Sequence, residues 1–379
     1  YAQPFICHFT NFLIQPTGVT LLALKMKNYI FVFVAILMVS CGKQNASKIV
    51  ATDSLAVKTI APHREYNSIY HWKTTFNPTE SELAFLQNHH IKRLYLRFFD
   101  VALDNHWLGE QLSAIPIATT TFLQAPLSDM EIVPTVYITL EAIRSVNGKE
   151  ADYANRIITR ILAIATRHKI NNINEVQFDC DWTRTTRNSY FKLCRIARDS
   201  LHKKGIELSS TIRLHQLRDD CPPVDRGVLM LYNTGALKSI NTKNSILDYL
   251  DISPYLKNVS YRMHLDFAYP TFSWGVWFRD NKFKAILRTT DFLDTNYYQQ
   301  LTDGTYKVLK DHYLESHELL QDDIIRLESP RYDEVLKVKQ LAERTLRNNT
   351  EYSVILYHLD SIALTKYATD EIENIYRHS

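Results

Sequence analysis

Glycine is scarce in this chain: there are 9 among 379 residues, and no two lie closer than Gly227 and Gly235. That spacing excludes the GxGxxG dinucleotide fingerprint and the Walker A phosphate loop, which need glycines within a few residues of one another. Cysteine is rarer still. None of the 5 stands in a CxxC pair, which excludes a zinc site of that kind. A charge excess of one sign is also missing. With 44 basic and 41 acidic residues the net charge is +3, too little to point to nucleic acid as a partner. What is present is ordinary for a globular protein. A hydrophobic share of 45% with 22% charged residues excludes wholesale disorder, and the length gives ample chain for a large core. Aromatic residues are plentiful, with 22 Tyr and 17 Phe. They suit such a core and also a surface that stacks on sugar rings.

A long apolar run occurs once. Met26-Lys27-Asn28 and the stretch from Tyr29 to Val39 read as the charged and apolar regions of a secretory signal, too short for a comfortable membrane span. The run ends at Ser40-Cys41-Gly42, which resembles a bacterial lipoprotein signal. Met38 stands where Leu is usual, and a plain membrane-anchor helix is the competing reading. The lipoprotein reading makes residues 1–25 upstream translation, 26–40 the signal peptide, and Cys41 the lipid-bearing terminus. Residues 41–65 become a polar tether, and 66–379 the folded domain, outside the cytoplasm at the bacterial cell envelope. Without Cys7 and Cys41 an odd number of cysteines remains, so no disulfide framework is expected. Cys180 and Cys194 read as small buried hydrophobes.

From residue 66 onward, short apolar runs alternate with helical periods. The expected strands are Ser68–Trp72, Arg93–Phe99, Ile132–Ile138, Glu175–Asp181, Leu208–Leu214, Val228–Tyr232, His264–Ala268 and Ser353–His358. Between them, Ile157, Ile161, Ile164 and Ala165 form one apolar stripe. Tyr190, Leu193, Cys194, Ala197 and Leu201 form a second, and Val335, Val338, Ala342 and Thr345 a third. Such alternation predicts an α/β fold, a (β/α)₈ TIM barrel. An open doubly wound sheet is the alternative, but its glycine-rich first turn is missing. The long gap between the seventh and eighth strands predicts an insertion at about 273–330, with extra strands at Phe283–Thr289 and Tyr306–Lys310. It either walls a groove at the active end or is a solvated excursion.

The sharpest chemical feature is Glu175-Val-Gln-Phe-Asp179-Cys-Asp181-Trp-Thr183. Strand alternation puts Asp179 and Asp181 on one face and Phe178 and Cys180 on the other. If the latter meet the helices, both carboxylates point into the barrel near its mouth, where mutual repulsion and burial raise a pKa toward acid catalysis. The plainer reading is that they accept hydrogen bonds from neighbouring strands or from Arg213.

The motif resembles that of the chitinase-like glycoside hydrolases, whose fourth strand ends in Asp-x-Asp-x-Glu and whose sixth carries Met-x-Tyr followed by Asp or Asn. This chain has Asp179-Cys-Asp181-Trp-Thr183 and Met230-Leu-Tyr232-Asn233. The resemblance implies that the Asp pair and the Tyr hold a substrate N-acetyl group while the Glu protonates the leaving oxygen. Thr183 stands in the Glu position, and Thr is no general acid at neutral pH. The run Gln177-Phe-Asp-Cys-Asp-Trp, then Arg187-Asn-Ser-Tyr-Phe and Leu208-Ser-Ser-Thr-Ile-Arg-Leu-His, resembles more closely a family of uncharacterised glycosidase-like barrels common among bacterial lipoproteins.

Other polar residues fall at expected strand ends: Asp100, Arg213, His215, Tyr232, Asn233, His264, Asp266, Tyr357, His358 and Asp360. With Thr183 unable to act, Asp181 and Asp266 are the natural carboxylate pair for glycoside cleavage, with Asp179 as modulator. Tyr232, Asn233, Arg213, His215, His264, Trp274 and Tyr357 are the candidate sugar contacts, although Trp274 and Trp277 serve equally well as packing. Asp179, Asp181, His215, His264 and Asp266 suggest a cation site only weakly, because no HxH or HExxH spacing anchors it; neither metal nor cofactor is expected. The expected partner is a polysaccharide or oligosaccharide. Three functions follow: an envelope glycoside hydrolase-like enzyme, a glycan-binding barrel that has lost its acid, or an envelope assembly protein.

Overall fold

The computed structural model describes residues 60, 64–104, 113–302, 304–346 and 351–378. Eight parallel strands close into a ring: β1 (Ser68–His71), β2 (Arg93–Leu103), β3 (Glu131–Ile138), β4 (Glu175–Asp179), β5 (Glu207–Arg213), β6 (Arg226–Met230), β7 (Leu265–Pro270) and β8 (Val354–Tyr357). Each pairs in parallel with the next, and β8 returns to β1 through Ser68–Ile355 and Ile69–Leu356. The expected barrel is therefore the fold, and no sheet edge is left within the ring. Among the described residues no helix is long and apolar enough to cross a membrane. The expected lipid site Cys41 and the signal and tether segments before residue 60 lie outside the described residues.

The helices sit on the outside because their apolar stripes match the outward strand faces. Before the fourth strand come α1 (Glu80–Asn88), α2 (Leu140–Val146) and α3 (Glu150–Arg167), and after it α4 (Arg187–His202), α5 (Tyr249–Leu256) and α6 (Tyr332–Thr345). Thr79 caps α1 through a reciprocal bond with Glu82, and Thr139 caps α2. The stripe Tyr190, Leu193, Cys194, Ala197 and Leu201 is wholly buried in α4. Cys180 and Cys194 are buried as well. The β5–β6 connection carries only the 3₁₀ turn Leu214–Arg218, and β2–β3 carries a strand, Ala114–Ile117, antiparallel to β2.

Inside the ring, Tyr70, Tyr95, Val133, Val228, Met230, Ala268 and Ile355 fill the middle. Gly227 shows how tightly the wall is built. A Cβ there would lie 2.8 Å from Ile212 Cγ1 and 2.8 Å from Leu265 Cδ2. Gly227→Ala is expected to cost about 1–3 kcal/mol through overpacking, read as a lower urea midpoint at an unchanged m-value.

Between β7 and β8 stands a five-stranded antiparallel sheet ordered Lys282–Leu287, Trp274–Arg279, Ile324–Glu328, Thr305–Val308, Tyr298–Thr302. It has its own core around Trp277, Leu287, Phe292, Tyr306 and Ile325. Buried Glu328 fastens it to the loop after β6, accepting from Ser245 Oγ at 2.5 Å, Trp274 Nε1 at 2.8 Å and Arg326 Nε at 2.7 Å. Arg326 donates in turn to the Leu237 and Ser239 carbonyls of that loop.

Candidate functional site

The C-terminal ends of the strands gather one polar cluster at the barrel mouth. Strand β4 stops at Asp179; Cys180 turns outward and Asp181 follows on the turn. Trp182 is fully buried, stacked on Tyr190 and edge-on to Phe191, which fixes the turn against α4. Gln216 ties it to β5, donating to the Trp182 carbonyl at 2.9 Å and accepting from the Arg213 N–H at 2.8 Å.

Arg213, the last residue of β5, spans both carboxylates. Its Nη2 donates to Asp179 Oδ1 at 3.0 Å and its Nε to Asp181 Oδ1. Thr211 Oγ1 donates to the same Asp179 oxygen at 2.6 Å. Alternation accounts for the meeting, since residues 211 and 213 share the inward face of β5. The side chains are 7% (Asp179), 14% (Asp181) and 23% (Arg213) exposed, so the cluster is deep but not sealed. Burial pushes the Asp179 carboxyl up and the Asp181 charge adds to it, while Arg213 and the Thr211 hydroxyl pull the other way.

Thr183 is occupied in a turn of hydroxyls: its N–H donates to Thr186 Oγ1 at 2.9 Å, and its own Oγ1 lies 2.9 Å from Thr185 Oγ1. It begins the approach to α4 and supplies no acid.

Around the carboxylates the mouth is aromatic. The Tyr232 ring lies 5.1 Å from Tyr357 and 5.9 Å from Phe272, and Tyr357 lies 5.4 Å from Tyr70 and 5.9 Å from Trp72. Arg97, paired with Asp100 at 2.8 Å, packs over Trp72. Trp72, Tyr137, Phe272 and Tyr357 are half-buried. Tyr70 is buried and donates to Gln177 Oε1 at 2.7 Å.

The structure thus brings together Asp179, Asp181, Arg213, Tyr232 and Tyr357. His215 stands exposed on the 3₁₀ turn beside Arg213. Asn233 adopts a left-handed backbone (φ 56°), and its buried Oδ1 has no hydrogen-bond partner among the described residues.

Asp266 and His264, expected at the mouth, stand at the opposite end. Strand β7 begins at Leu265, so Asp266 is its second residue. It is fully buried, 3.5 Å from Arg226 and accepting from the Ser353 N–H at 2.7 Å. It belongs to an ionic floor with Arg93, Glu131 and Glu175, out of reach of a ligand at the mouth. Trp274 is no platform either: it is 5% exposed, with its indole N–H bound to Glu328. Trp277 is buried likewise, donating to Asp323 at 2.9 Å. Among the described residues no three His, Cys, Asp or Glu side chains are grouped to hold a metal ion.

Tyr137 joins the mouth although it is not among the residues expected there. It lies near the end of β3, where burial and the charges of Asp181 and Asp179 push its phenol up. Its inward parity with Val133 and Thr135 was the available signal.

No protein-family model and no curated sequence matches the chain. Solved structures similar to it include the spore cortex-lytic enzyme SleL of Bacillus cereus, at 14% identity over 80% of this chain and 74% of that one, TM-score 0.47. A chitinase from Chromobacterium violaceum is 11% identical over 82% and 97%, TM-score 0.47. A Group IV chitinase from Ostrinia furnacalis is 10% identical over 82% and 98%, TM-score 0.48. At these identities and scores the likeness goes no further than a barrel, which the strand pairing already establishes.

Proposed function

We propose that the barrel mouth binds a glycan without hydrolysing it. The observation that carries this reading is Arg213 lying across both Asp179 and Asp181. A carboxylate held against a guanidinium is stabilised in its charged form and is a poor proton donor. Burial pushes the Asp179 carboxyl up, but it lies beneath that clamp, with its Oδ1 taken by Arg213 and Thr211. The acid position is filled by Thr183, and Asp266 is at the barrel floor. What the mouth retains is Trp72, Tyr232, Phe272 and Tyr357 around two carboxylates, a set suited to stacking sugar rings and bonding their hydroxyls.

Calorimetric titration with chitin-type oligosaccharides tests the reading. Saturable binding is expected, weakened about tenfold or more in Trp72→Ala and Tyr357→Ala, with no new reducing ends after prolonged incubation. Turnover that disappears in Asp179→Asn would establish a hydrolase instead, with Asp179 as its acid.

The envelope placement rests on residues 26–43 alone. If Cys41 carries the lipid, the full chain takes up labelled fatty acid and fractionates with membranes. Cys41→Ala is expected to abolish the label; persistent labelling would refute the assignment.

A further inference from the structure

We propose that the mouth prefers amino sugars with a free amine over their N-acetylated counterparts. This rests on the glycan-binding reading above and adds the chemical class of the ligand.

The bonding at the carboxylates leads to it. Asp179 Oδ1 takes both Thr211 and Arg213, and Asp181 Oδ1 takes Arg213. The second oxygen of each carboxylate therefore accepts no hydrogen bond among the described residues. Two carboxylates also share one guanidinium, which leaves one negative charge in excess.

Among the described residues the neighbours do not cancel that charge. Arg97 is matched by Asp100. At the rim Arg184 is matched by Asp219 and Arg187 by Asp220. Tyr137 and Tyr232 are phenols, and His215 is exposed. A group that brings one positive charge and several N–H donors completes the cluster.

A protonated sugar amine does this. It has three donors, enough for both free oxygens, and a charge that favours aromatic faces such as those of Tyr232 and Tyr357. An acetamide offers one N–H and no charge. It would leave a deep carboxylate oxygen unmatched, and such unmatched groups are costly.

The test is calorimetric titration of the full chain with the fully deacetylated glucosamine tetramer and with the N-acetylglucosamine tetramer, in mildly acidic, low-salt buffer. The deacetylated tetramer is expected to bind about tenfold tighter. The preference should shrink as salt is raised and vanish in Asp181→Asn, whose amide oxygen still accepts from Arg213. Equal or tighter binding of the N-acetylated tetramer overturns the amine preference and leaves the glycan reading standing. Binding of neither overturns both. Should Asp181→Asn fail to fold by circular dichroism, the wild-type ratio and its salt dependence decide the matter alone.

Discussion

Arg213→Ala is expected to destabilise the protein by about 3 kcal/mol at neutral pH, the lower end for breaking a buried ion pair because the rim is partly open. The substitution removes the cation that Asp179 and Asp181 share and leaves two deep carboxylates facing each other. The pH dependence follows from Asp179. Its pKa in the fold already lies above the ordinary 3.8, and Arg213 is the largest influence holding it down. Without Arg213 it rises further. A carboxyl with a raised folded pKa contributes stability that is complete below the unfolded pKa and lost as pH rises through the folded one. The deficit of Arg213→Ala should therefore be small near the unfolded pKa and full at neutral and alkaline pH. Denaturant unfolding across this range checks it. Adding Asp179→Asn and Asp181→Asn should recover most of the loss; a deficit independent of pH and of those changes would mean that Arg213 acts through packing alone.

The second large effect concerns the barrel floor. Glu175 is fully buried at the start of β4, and burial pushes its carboxyl from the ordinary 4.5 up to about 7, against the pull of Arg93 and Arg226. Its folded pKa is raised, so its contribution is complete below about pH 4.5 and is lost as pH rises through 7. The shift corresponds to about 3 kcal/mol between mildly acidic and mildly alkaline solution. Glu175→Gln should match the wild type in acid, exceed it in stability above neutrality, and flatten the alkaline slope. His71 and His358 work at the other limb: burial holds both down at about 4 from the ordinary 6.5, so their contribution is full above about pH 6.5 and is lost as pH falls from there through 4. Equal slopes for wild type and Glu175→Gln would show that another group governs the alkaline loss.

Most of the fold was legible because each barrel strand is a short apolar run, buried on both faces, between polar turns. Period-two alternation also places Asp179, Asp181 and Arg213 on facing surfaces, and Arg213 does pair with both carboxylates. Alternation reports which way a side chain faces but not its height along the strand. The expected seventh strand is His264–Ala268, whereas β7 runs Leu265–Pro270, and that shift leaves Asp266 at the start of the strand instead of the mouth. The burial of Trp274 and Trp277 was hidden for a different reason. Their partners Glu328 and Asp323 lie 54 and 46 residues further along, in a sheet of which two strands were expected and five are found. Tyr137 went unmarked because nothing local sets a strand-end tyrosine apart until its neighbour across the ring is known.

The most direct measurement is a crystal structure of the full chain grown with an amino-sugar tetramer. An intact tetramer with rings against Trp72 and Tyr357, and Arg213 still across Asp179 and Asp181, is the predicted result. An empty mouth with sugar bound elsewhere, or cleaved products in the mouth, would contradict it.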